Sequence, residues 1–126
     1  MKAPLSGILA LFLAALTISI PEVFAQMGKP AFSDVNRIFQ ARCVKCHSGT
    51  RPPDGLRLDA CTGIMAGAKD GPVIVPGSPG KSELVRRLKG LSKPRMPKDG
   101  PPWLPDDEIA VIEKWIAAGA CETGAE

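Results

Sequence analysis

The chain has no tyrosine, a single histidine and few aromatic rings, with four Phe and two Trp among 126 residues. A surface built to stack nucleobases needs more rings than that, and a formal net charge of +3 is too small to hold a polyanion. Charged residues make up only 23 %, which excludes a strongly charged disordered chain. Beyond the first twenty residues no long apolar run occurs, so a polytopic membrane protein is excluded. No heptad, no collagen period, no internal repeat and no low-complexity segment interrupts the chain. What is abundant is punctuation: thirteen Gly and thirteen Pro point to a small single domain with much of its length in turns.

The first residues read as an export signal. Lys2 gives a minimal positive start, Ser6 to Ile20 is uncharged and mostly apolar, and Val23-Phe24-Ala25 approximates a small-residue cleavage site. The expected division is a signal peptide at 1–25 and one domain at 26–126. The alternative is an uncleaved N-terminal anchor. No cysteine stands at the cleavage point to carry a lipid. Loss of Lys2 and Glu22 leaves the net charge unchanged. A domain of about a hundred residues buries a small core and benefits from cross-links, and the exported compartment is oxidising.

Cysteine and histidine carry the chemistry. The cysteines are Cys43, Cys46, Cys61 and Cys121, and the histidine is His47. Cys43-Val44-Lys45-Cys46-His47 is the Cys-x-x-Cys-His pattern of covalent c-type haem attachment. Two intervening residues let both sulfurs reach the two vinyl groups of one porphyrin, and the adjacent imidazole can turn to the iron. A thioredoxin-type dithiol would follow a strand in a βαβ pattern, which is missing here. A zinc site would need four ligands, and His47 abuts Cys46 too closely to share a metal with it. A disulfide inside the motif would leave His47 without a role. Cys61 and Cys121 lack a neighbouring Cys-x-x or His, so one haem is expected. In an oxidising compartment they are expected to pair with each other, the alternative being two buried thiols.

With one histidine, a sixth iron ligand must be a methionine, a lysine, another weak donor or nothing. Met27 lies at the frayed start of the mature chain, and Met65 reads as a core contact. Met96 sits between Pro94 and Pro97 in a loop whose stiffness lowers the entropy cost of bringing a weak thioether to iron. The plainer reading of Met96 is a side chain filling a gap under that loop.

Helices are expected from a Ser33 cap towards Cys43, weakly over Ala60 to Ala68, from Ser78-Pro79 to about Lys89, and from Pro105 to Gly119. The last has an acidic start and an apolar stripe of Ile109, Ile112, Trp115 and Ile116. Val73-Ile74-Val75 is too short to establish a sheet. Trp115 is expected in the core, and Trp103 either near the haem or packed under the loop.

A helix ending in the haem motif, a methionine about fifty residues later and a C-terminal amphipathic helix resemble class I cytochromes c. Leu56-Arg57-Leu58-Asp59, Val75-Pro76-Gly77-Ser78-Pro79, Arg95-Met96-Pro97 and Asp107-Glu108-Ile109 further resemble the planctomycete-type cytochrome c domain, over roughly Phe32 to Ala120. The resemblance implies an all-α fold of three to five helices around one covalent haem c. It also implies Cys43 and Cys46 as thioether sites and His47 and Met96 as axial ligands. The family usually shows Met-Pro-Pro, whereas Lys98 follows Pro97 here, which alters the loop's charge and not its ligation. The function expected is one-electron transfer without bond-making chemistry, by a monomeric periplasmic carrier. The alternatives are an electron-accepting subunit of a periplasmic dehydrogenase, or a gas-binding sensor or enzyme with an open sixth site. Six basic residues from Arg86 to Lys98 either steer an acidic redox partner or form a solvated face.

Overall fold

The computed structural model describes residues 1–3 and 28–123. The expected signal peptide and Met27 lie outside the described residues, apart from 1–3 at the start of the signal. Four α-helices run through the described chain: α1 Phe32–Arg42, α2 Cys61–Ala66, α3 Glu83–Leu88 and α4 Asp106–Ala117. Short 3₁₀ turns occupy Pro53–Gly55, Pro79–Lys81 and Ala120–Thr123. Among the described residues there is no strand, so the all-α expectation holds; the only ladder-like contact is a bridge between Ala68 and Gly71.

Helices α1 and α4 form the frame, and α3 packs against α4 as well. From α1, Val35, Ile38 and Phe39 face inward at helical spacing; from α4, Ile109, Ile112, Trp115 and Ile116 do the same. The Trp115 indole receives Phe39 edge-on at 6.4 Å between ring centroids and Phe32 tilted at 6.0 Å. Val73 and Ile74, read as too short for a sheet, are buried in the same core as irregular chain. Met65 packs on the outside of this core, in line with its reading as a core contact.

Two helix starts differ from expectation. Helix α1 begins at Phe32, one turn's edge earlier than a Ser33 cap would place it, because Phe32 docks on Trp115. No side chain caps it from the front; the Asp34 carboxylate instead accepts the Ala31 N–H at 3.0 Å. The segment expected as one helix from Ser78 to Lys89 is divided. Ser82 is extended (φ −80°, ψ 120°) and fully buried, and it separates the Pro79–Lys81 turn from α3. Its hydroxyl accepts the Val75 N–H at 2.9 Å and donates to the Ser78 carbonyl at 3.0 Å. Satisfying those two backbone groups outweighs one continuous helix. Gly90 closes α3 at φ +74°, as expected of a C-terminal glycine.

Cys61 opens α2 and Cys121 follows α4, and their Cα atoms stand 5.7 Å apart, within the span of a bridged pair. The pair joins the middle of the chain to its end.

Candidate functional site

Helix α1 delivers the Cys43–His47 segment without a break in backbone bonding. The Cys43 and Val44 N–H groups both donate to the Phe39 carbonyl, at 2.8 and 3.0 Å. The Cys46 and His47 N–H groups both donate to the Cys43 carbonyl, at 3.1 and 2.9 Å. The segment is therefore a tight turn on the end of α1, with Cys43 half-buried, Cys46 exposed and His47 half-buried. Cys43 and Cys46 are free of each other, so the motif is not an internal disulfide.

His47 is oriented by the chain that follows it. Its Nδ1 lies 3.1 Å from the Leu56 carbonyl, and the Leu58 N–H donates to the His47 carbonyl at 2.8 Å. With Nδ1–H donating to that carbonyl, the tautomer is set and Nε2 keeps its lone pair for a metal. This partner was beyond the sequence reading, since any residue's carbonyl can serve.

Burial pushes the Cys43 thiol up to about 11, with the Arg42 charge pulling it back only in part. A redox dithiol depends on a thiolate, so this environment argues against the thioredoxin reading. Among the described residues, no three His, Cys, Asp or Glu side chains gather as a metal cluster, so protein ligands alone do not make a zinc site here. The donor set fits a covalently held haem. Two unbridged thiols and one oriented imidazole stand in the motif, and the loop that carries the Met96 thioether is tied to it by Arg42 and Lys45.

Met96 belongs to the long loop between α3 and α4. Its N–H donates to the Arg87 carbonyl at 3.1 Å, and its side chain is half-buried against the core. Two contacts fasten this loop to the haem motif. Arg42, at the end of α1, donates from Nη2 to the Pro102 carbonyl at 2.7 Å, and Lys45, inside the motif, pairs with Asp99. The residues on both sides of Cys43 thus grip the loop that carries Met96. Asp99 holds the Lys45 ammonium above the ordinary lysine value, chiefly through that hydrogen bond, and the Asp99 carboxyl is lowered in turn.

The basic residues do not form one free patch. Arg86 and Arg87 both pair with Glu83, at 3.7 and 2.7 Å, and Lys89 pairs with Glu113. The Arg95 guanidinium lies over the ring of the half-buried Trp103, 4.1 Å from its centroid. Lys93 and Lys98 are exposed and take part in no ion pair among the described residues.

Searches of curated proteins and of solved structures gave no match. A family model described as Planctomycete cytochrome C matches residues 43–100, from the first motif cysteine to just beyond the Met96 loop's contact with Lys45. That span holds the oriented histidine, both free thiols and Met96, and on this ground residues 43–100 are a planctomycete-type cytochrome c domain, of the haem-binding, electron-transferring kind.

Proposed function

We propose that the chain is an exported mono-haem cytochrome that carries one electron at a time, with Cys43 and Cys46 as the thioether sites and His47 and Met96 as the axial ligands. The observation that carries this reading is the double grip of Arg42 on Pro102 and Lys45 on Asp99, which sets the methionine loop against the haem motif. One haem per chain follows from one Cys-x-x-Cys-His motif and from the pairing of Cys61 with Cys121, which leaves no further thiols for attachment.

A bound haem c supplies a reversible ferric/ferrous couple. The protein's task is to hold its ligands alike in both states. His47 is fixed from behind by the Leu56 carbonyl, which also raises the basicity of its free nitrogen. Met96 is fixed by its own backbone bond to Arg87 and by Pro97, whose side chain is buried. Methionine as sixth ligand favours the ferrous state and raises the potential. Rigid ligands on both sides keep the nuclear rearrangement on electron transfer small. Nothing in this arrangement makes or breaks a bond in a substrate, and the role is that of a carrier.

An acidic redox partner meets Lys93 and Lys98, the two exposed lysines flanking Met96 that lack a carboxylate of their own. Periplasmic export by the segment 1–25, a monomeric state and the Cys61–Cys121 disulfide complete the reading. Optical spectra of protein matured with haem, oxidised and reduced, beside Met96→Ala, test it. A sulfur-to-iron charge-transfer band in the oxidised protein, lost in the variant, is expected. A wild-type spectrum that is five-coordinate and binds carbon monoxide readily overturns the carrier in favour of an open-site sensor.

A further inference from the structure

We propose that Trp103 is the positioning residue of the methionine loop, the side chain that keeps Met96 where a sixth ligand must stand. The inference rests on the reading of Met96 as an axial ligand and deepens it.

Trp103 takes contacts from both arms of its loop. On the arm before Met96, the Arg95 guanidinium lies over the indole, 4.1 Å from the ring centroid. On the arm after it, Gly100 is pressed against the same ring, and a Cβ there would collide with the indole Cδ1 and Nε1. Gly100 is itself turned back on the loop, its N–H donating to the Pro97 carbonyl at 3.2 Å. Met96 lies between these two contacts in the chain, so the indole closes the segment 95–100 around its own methionine.

The closed loop is anchored on two sides. Towards α3, the Arg95 stem lies against Gly90, where a Cβ would stand 3.0 Å from the Arg95 Cδ. Towards the Cys43–His47 motif, Arg42 donates to the carbonyl of Pro102, the residue before Trp103, at 2.7 Å. Asp99, the residue before Gly100, pairs with Lys45. The indole therefore stands where the end of α3, both arms of the loop and the stretch tied to the motif meet.

Arg95 makes the ring necessary. Its Nε is buried with no hydrogen-bond partner, and no ion pair among the described residues includes it. The π face of Trp103 is the stabilising partner that the structure shows for this cation. Without the ring the guanidinium gains by turning out to water, because a desolvated cation lacking a partner is costly. That turn shifts the residue bonded directly to Met96. A thioether binds iron weakly, so added freedom in its loop is felt as lost ligation. The fold itself depends less on this indole, since the core cluster among the described residues takes in Trp115 and Leu104 but not Trp103.

Imidazole, which competes for the iron position that Met96 would hold, tests this in the ferric full chain with haem attached. Its binding is followed by loss of the sulfur-to-iron band, with chemical denaturation measured beside it. In Trp103→Leu the imidazole affinity is expected to rise about tenfold, and less in Trp103→Phe, which keeps a ring under Arg95. Gly100→Ala is expected to act in the same direction. Gly100 lies outside the left-handed region, so the change there is the Cβ driven into the indole. It is expected to add nothing once Trp103→Leu has removed the ring. Ser82→Ala, which weakens the fold elsewhere, is expected to leave the affinity unchanged. An unchanged affinity in Trp103→Leu overturns the proposal. So does a rise matched by Ser82→Ala, which makes the effect a general loosening. If Trp103→Leu does not mature, Gly100→Ala replaces it: a raised affinity supports the positioning role and an unchanged one overturns it. A wild-type chain with covalent haem but no sulfur-to-iron band overturns the Met96 reading, and the positioning role with it.

Discussion

The two sides of the proposed haem site are built in opposite ways. On the histidine side every support is local: α1 runs into the motif, the motif turns on its own Cys43 carbonyl, and Leu56, nine residues on, fixes the ring. On the methionine side the supports are long-range: Lys45 reaches Asp99 across 54 residues, and Arg42 reaches Pro102 across 60. Under the proposed ligation, the difference follows ligand strength. An imidazole binds iron well enough that a short turn suffices, while a thioether must be delivered by a loop already ordered.

The largest expected effect breaks one side and spares the other. His47→Ala removes the strong ligand and is expected to abolish the low-spin spectrum in both oxidation states. Met96→Ala is expected to leave haem covalently attached and to convert it to a form that binds carbon monoxide. If the two variants give the same spectrum, the asymmetry between the sides is wrong.

Next comes the Cys61–Cys121 pair, which encloses α3, the methionine loop and α4 but not the His47 turn. Replacing both with Ala is expected to cost about 4 kcal/mol on the chain-entropy account of a loop that long. Chemical denaturation measures it. In a thermal scan of this variant, the sulfur-to-iron band should vanish before the helical signal does. Simultaneous loss would mean that both sides depend on the bridge equally.

A smaller effect is expected inside the frame. Ser82→Ala removes the acceptor of the Val75 N–H and the donor to the Ser78 carbonyl, a cost of about 1 kcal/mol. The haem spectrum should be unaltered at room temperature, because the lost hydroxyl bonds only the Val75 and Ser78 backbone.

The same asymmetry governs what could be read from the chain. Cys43, Cys46 and His47 stand out as candidates in the sequence because attachment chemistry requires its residues within five consecutive positions. Helix α4 was legible because its acidic start, four-residue apolar stripe and terminal glycine agree at every level. The start of α1 was not, since Ser33 is a good cap and Phe32's stacking on Trp115 is a tertiary event. Ser82 was hidden for the same reason: a serine before Glu-Leu-Val reads as helix until the Val75–Ser78 turn folds over it. Met96 could be singled out by its prolines, but the contacts that place its loop join residues whose pairing has no local signature. The orphaned Arg95 is of the same kind, being ordinary in sequence and conspicuous only once Trp103 and Gly90 surround it.

The smallest effect sharpens the comparison by acid. Glu83 anchors α3 through Arg87 at 2.7 Å and through the Ser92 hydroxyl at 3.0 Å, and its carboxyl is held below the ordinary glutamate value, chiefly by the Arg87 bond. A carboxylate lowered in the folded state contributes stability above its unfolded value of about 4.5 and loses it as pH falls through the lower folded value. Its side chain is 38 % exposed, so solvent screening keeps the contribution below about 1 kcal/mol. Arg87 is also the residue whose carbonyl receives the Met96 N–H. Acid should therefore loosen the methionine side first, since the Leu56 carbonyl that holds His47 does not titrate. Titrating the sulfur-to-iron band from pH 6 down to roughly pH 3 is expected to show its midpoint moving in Glu83→Gln, while covalent haem is retained throughout. An identical titration in the variant would mean that α3 does not transmit to Met96, and would leave the Lys45–Asp99 pair as the acid-sensitive support of that loop.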